Sequence, residues 1–139
     1  MSAKPPGEIA ARAALTVTGL ITTLPVLALI NPSMVGSTYG VTDPDPMVLA
    51  LLQHRGVLQL LLGAALLWAV LSPPVRLAAV LAAVLAKTAF LGLTFLNPAA
   101  KPGLSTVSIV FDLGSIALLA FVAVREVTAR RAQPVGTAA

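Results

Sequence analysis

Four long apolar runs alternate with connections rich in Pro, Asn and Asp. The first extends from Ile9 to Ile30 and stops at Asn31-Pro32. The second starts behind Asp45-Pro46, an N-cap followed by proline at the first helical position, and runs over 46–71 to Ser72-Pro73-Pro74. The third covers Val75 to Leu96 and ends at Asn97-Pro98; the fourth covers Leu104 to Arg125, after Lys101-Pro102-Gly103. A helix of about 20 residues crosses a ~30 Å hydrocarbon core, and all four runs reach that length. The second run is the longest and is expected to tilt or protrude. The pattern predicts an all-α fold, with 1–139 forming a single transmembrane domain. Short second and third connections favour antiparallel neighbours, hence an up-down-up-down four-helix bundle. The tail, 126–139, is expected to be disordered.

Charge sets the expected orientation. Lys4 and Arg12 stand at the start of span one, Arg76 at the second connection, and Arg125, Arg130 and Arg131 at the end of span four. The first connection carries Asp43 and Asp45 but no Lys or Arg, and the third carries only Lys101. By the positive-inside rule both termini are expected to be cytoplasmic. The first connection, Asn31 to Asp45, holds Gly36, Tyr39 and Gly40 and reads as an outer loop or as a lid.

Three ionisable residues interrupt the apolar runs: Arg55, Lys87 and Asp112. Charges at membrane depth are expensive and usually face a protein interior or a wet cavity. Counted from the outer ends at 1.5 Å per residue, Arg55 and Lys87 lie roughly 14 Å down and Asp112 roughly 12 Å. Thr22 and Thr23 reach a similar level. In span four, Ser105, Ser108, Asp112 and Ser115 share one helical face, as do Arg12, Thr16, Gly19 and Thr23 in span one. Ala79 and Ala83 precede Lys87 at steps of four, a small-residue face that turns Lys87 inward. Gln59 follows Arg55 at i+4, and Gly56 and Gly63 stand a heptad apart. The expected interior is lined by Thr23, Gln53 or His54, Arg55, Gln59, Lys87, Ser108, Asp112 and Ser115. Pro25 is placed to kink span one near this layer.

Composition narrows the class. The chain is 58% hydrophobic and 10% charged, against about 25% charged in soluble domains. Its net charge of +4 comes from residues at span ends, so it marks topology and not nucleic acid. There is no Cys, which excludes thiol chemistry, and the single His makes no zinc or haem site. No cofactor is implied. The first run is too long for a signal h-region and reads as a retained span.

Each residue also has a plain structural reading. Arg55 with Asp112 forms a register-fixing ion pair; Lys87 snorkels to the interface or is neutral through burial; Gln59 and the hydroxyls make packing bonds; Trp68 is an interface anchor. One acid cannot neutralise two bases, however, and the excess positive charge suits an anionic ligand or a developing oxyanion.

Span two reads Gln53-His54-Arg55-Gly56-Val57-Leu58-Gln59-Leu60-Leu61-Leu62-Gly63. An Arg-Gly opening with Gly seven residues on, and an acid in the last span, here Asp112, resemble small bacterial DoxX-like membrane proteins. The resemblance implies a four-helix bundle in the bacterial inner membrane and little about activity. Two functions fit the residues. One is binding of a lipophilic small molecule, with acid–base transformation by isomerisation, cyclisation or hydrolysis. There Asp112 is the acid or base, Arg55 and Lys87 hold negative charge, and His54 is a second proton-transfer group. The other is a non-catalytic subunit or assembly factor of a membrane complex, with a structural ion-pair network. Besides the lipid bilayer, a second copy or a complex partner remains open. Transport is disfavoured, since no pair of broken helices is visible.

Overall fold

A computed structural model describes residues 6–99 and 106–132, and these are mostly helical, with no strand among them. The elements are α1 (Pro6–Thr23), a 3₁₀ segment (Leu24–Leu29), α2 (Met34–Tyr39), α3 (Pro46–Leu71), α4 (Pro73–Leu96) and α5 (Thr106–Arg131). Four helices are long and apolar enough to cross a membrane: α1 with its 3₁₀ extension, α3, α4 and α5.

Local chemistry explains the boundaries. Asp45 caps α3, its Oδ1 accepting from the Met47 amide at 2.8 Å. Pro46 and Pro73 occupy first-turn positions, where a missing N–H costs nothing. Pro25 denies the α-ladder one donor, and the chain tightens into the 3₁₀ segment at that point. The first connection is partly helical, because α2 forms within it and ends on Gly40 in the left-handed conformation. The fourth span differs from expectation at its end: α5 continues past Arg125 to Arg131, so residues 126–131 are helical and not a loose tail. From residue 133 on, that tail, with Lys4, Lys101 and Ser105, lies outside the described residues.

Packing follows the small residues. α1 packs chiefly against α3, and α4 against α5, with α3 and α4 joining the two pairs. The α1–α3 crossing is close because both helices present glycine. A Cβ on Gly63 would stand 2.7 Å from the Gly19 carbonyl oxygen, and one on Gly56 would stand 2.7 Å from that of Pro25. Gln53 Nε2 donates to the Ala28 carbonyl at 3.1 Å, tying the 3₁₀ segment to α3. Leu15, Leu66, Val80, Leu119 and Val122 are fully buried in one half of the bundle. Many large apolar side chains remain outside, Ile30 and Leu96 each at 84% exposure. A soluble protein does not leave such a surface in water; a bilayer accepts it.

Candidate functional site: two polar layers

Polar groups gather at two levels. At the first, Arg76 is 2% exposed. Its Nε donates to the Ala69 carbonyl at 2.8 Å, and its two other nitrogens reach the Val70 carbonyl, Glu8 and Glu126. Glu8 also accepts from Arg12 at 2.8 Å and pairs with Arg125 at 3.0 Å. The start of α1, the α3–α4 junction and the end of α5 are thereby clasped by one network with its donors spent. The sequence reading took Arg76 only as a topology marker and passed over Glu8 and Glu126. The available signal was that two of five acidic residues stand where basic residues also collect.

The second level is where the sequence places its three buried charges. Lys87 Nζ donates to Asp112 Oδ1 at 2.5 Å, so the acid pairs with the lysine and not with the arginine. Lys87 also lies 4.7 Å from the Phe111 ring centroid. Arg55 sits between two aromatic rings, 3.8 Å from the Phe90 centroid and 5.0 Å from that of Tyr39. Cation–π contact occupies the faces of a guanidinium and leaves its edge donors unused. Among the described residues Arg55 donates no hydrogen bond and meets no carboxylate.

These groups border two adjoining recesses of about 470 and 500 Å³. Both are lined by Thr22, Arg55, Gln59, Lys87, Phe90 and Asp112. The larger extends beneath α2, past Pro25, Met34, Tyr39, Ser108 and Phe111. The smaller extends between α3 and α4, past Leu58, Leu62, Ala86, Ala89 and Leu93. Three polar atoms beside these recesses, Thr22 Oγ1, Tyr39 OH and Gln59 Oε1, are buried without a hydrogen-bond partner among the described residues. Burial holds the Tyr39 phenol above its usual pKa, opposed by the nearby Arg55 charge, so it stays a donor at neutral pH.

Of the residues expected here, Arg55, Lys87, Gln59, Ser108 and Asp112 come together around the recesses. Others do not. His54 is exposed and borders neither recess, since one helical step turns it about 100° from Arg55. Gln53 is spent on the Ala28 carbonyl. The Thr23 hydroxyl donates to the Leu20 carbonyl at 2.7 Å, and its neighbour Thr22 faces the site instead. Ser115 is buried with its Oγ unpartnered but borders neither recess. Tyr39 and Phe90 were missed. Phe90 stands three residues after Lys87, hence on its face; Tyr39 is the single tyrosine of the chain.

The class these features suggest is an integral membrane protein: four candidate spanning helices, with charged and polar side chains gathered at a cavity between them. Comparison with family models, with curated proteins and with solved structures gives no match.

Proposed function

We propose that the cavity binds a lipophilic small molecule and presents it to Asp112 for proton transfer. The supporting observation is the unspent donor set of Arg55, held between two rings beside three unpartnered buried polar atoms. A buried polar atom without a partner costs about 1–3 kcal/mol, which an occupant's own polar atoms would relieve. Asp112 offers its second carboxylate oxygen, while Lys87 and Arg55 stand ready for negative charge on the bound molecule. Isomerisation, cyclisation or hydrolysis is the reaction class such a set suits.

We place the cavity in the outer half of a bacterial inner membrane, with helices running up-down-up-down and both termini cytoplasmic. Arg12, Arg76, Arg125, Arg130 and Arg131 lie toward one end, and Asp43 and Asp45 in the connection at the other, which supports that orientation. The resemblance of the Arg55–Gly63 stretch to DoxX-like proteins agrees with it. A second reading, a non-catalytic subunit with a structural network, draws support from the direct Lys87–Asp112 pair.

Mass spectrometry of small molecules co-purified with wild type and with folded Arg55→Ala separates the two. An organic molecule retained only by wild type is the expected result, with Asp112→Asn still binding it but not turning it over. Equal content in both proteins, with a partner chain retained, would favour the subunit.

A further inference from the structure

The two recesses differ in character, and the difference names a class of ligand. To the shared Thr22, Arg55, Gln59, Lys87, Phe90 and Asp112, the part beneath α2 adds the hydroxyl groups of Ser37, Tyr39 and Ser108 together with apolar side chains such as Ile21, Leu24, Met34 and Phe111. The part between α3 and α4 adds only Leu58, Leu62, Ala86, Ala89 and Leu93 to the shared residues. Ala86 and Ala89 are exposed on the outer face of the bundle, where large residues would have closed the gap between helices. Along α4 the slot from Ala86 to Leu93 is roughly 10 Å long. A chamber that carries the added hydroxyls therefore adjoins a slot whose own residues are apolar, with Leu58, Ala86, Ala89 and Leu93 exposed on the outside of the bundle. Its charge is also defined: Lys87 and Asp112 cancel, and Arg55 leaves a single positive charge.

We infer that the ligand is a single-chain amphiphilic carboxylate, its head on the edge of Arg55 and its tail in the slot between α3 and α4. This rests on the binding function proposed above. A carboxylate matches the planar guanidinium edge with two parallel hydrogen bonds and balances its one charge. The Thr22 and Tyr39 hydroxyls supply further donors to the head, and Gln59 Oε1 accepts from a hydroxyl or a water beside it. The tail replaces bilayer contact with slot contact, so it enters sideways without crossing water. A diacyl lipid needs space for two chains at the headgroup, whereas the slot between α3 and α4 suits one.

The test is binding of carboxyl-¹³C-labelled hexadecanoate to the full chain in phosphatidylcholine nanodiscs, read by the carboxyl chemical shift. Saturable binding to wild type is expected. Arg55→Gln should weaken it roughly tenfold to a hundredfold, as loss of charge-assisted bonds does. Ala89→Leu, which fills the slot and leaves the chamber, should weaken hexadecanoate but spare hexanoate. Equal displacement by hexadecanol would show that charge is not read, and equal displacement by phosphatidylglycerol that the head is not a carboxylate. An Ala89→Leu protein that holds both chain lengths alike would remove the slot. Each of these outcomes overturns the inference. If a non-carboxylate molecule co-purifies in an Arg55-dependent way, the binding function stands and this ligand class falls. If nothing binds in an Arg55-dependent way, both fall.

Discussion

Removing the charge of Asp112 while keeping its shape tests how the outer polar layer is held. Lys87 Nζ and Asp112 Oδ1 are 2.5 Å apart on side chains 7% and 12% exposed. With charge centres ~4 Å apart and an effective dielectric of about 20, their attraction is about 4 kcal/mol. Breaking a buried pair from one side costs about 3–5 kcal/mol in soluble proteins, because the partner charge is left behind. Polar contacts between membrane helices average only ~0.6 kcal/mol, because separated helices find other partners. Arg55 decides between these magnitudes. In Asp112→Asn, Lys87 and Arg55 become two cations around one cavity with no carboxylate beside them among the described residues. The uncompensated charge outweighs the lost contact, and Asp112→Asn should lower unfolding free energy by about 3 kcal/mol. Lys87→Met should cost less, since Asp112 then has Arg55 across the same cavity. The double variant should recover most of the loss, giving a coupling energy of about 2 kcal/mol. Reversible unfolding in bicelles, followed by circular dichroism, measures all three. A coupling within ~0.5 kcal/mol of zero, the usual error of additivity, would refute the buried pair.

The α1–α3 crossing makes a sharp contrast among glycines. Gly63→Ala puts a methyl 2.5 Å from Thr23 Cγ2 and 2.7 Å from backbone, and should cost about 1–3 kcal/mol in the same unfolding assay. Gly114→Ala meets nothing within 4 Å and should be neutral or stabilising by up to about 1 kcal/mol. In the Arg76 layer, Arg76→Met removes the buried donor of Glu8 and Glu126, leaving them only the more exposed Arg12 and Arg125, and should cost about 3 kcal/mol. Arg76→Lys should recover only part of this, because one ammonium cannot reach both carbonyls and both carboxylates.

The spans were legible because proline, asparagine and capping residues punctuate them: the boundaries 46–71 expected for the second match α3, from Pro46 to Leu71. That Arg55, Lys87 and Asp112 meet at one level along the helices was legible too, since rise per residue is fixed. Rotation about each helix axis was not. It depends on which faces neighbouring helices bury, and that decides Thr22 over Thr23 and Lys87 over Arg55 as the partner of Asp112. α2 and Tyr39 were hidden for another reason. A six-residue helix in a connection has no periodicity long enough to read, and its position over the cavity is set by Pro25 and the 3₁₀ segment beneath it. The inner network escaped notice because its acids sit at span ends, where charge is normally solvated.

The contrast between the two layers supports the proposal that the layer of Arg55, Lys87 and Asp112 takes an occupant. The inner layer shows that this fold can bury an arginine and satisfy it: Arg76 finds two carbonyls and two carboxylates. A layer kept only for helix register would be served by the same solution, or by apolar residues, which often replace buried ion pairs at no cost. The outer layer takes neither course. Arg55 keeps its donors free between two rings, and Thr22, Tyr39 and Gln59 hold unpartnered atoms beside the same recess. Ser115 shows that an isolated orphan is not the signal, for its unpartnered Oγ borders neither recess. The convergence matters: unspent donors, an unpaired acceptor and one uncancelled positive charge share a cavity that continues to the lipid surface. Together they leave unsatisfied groups, among the described residues, where the proposed lipophilic anion would satisfy them.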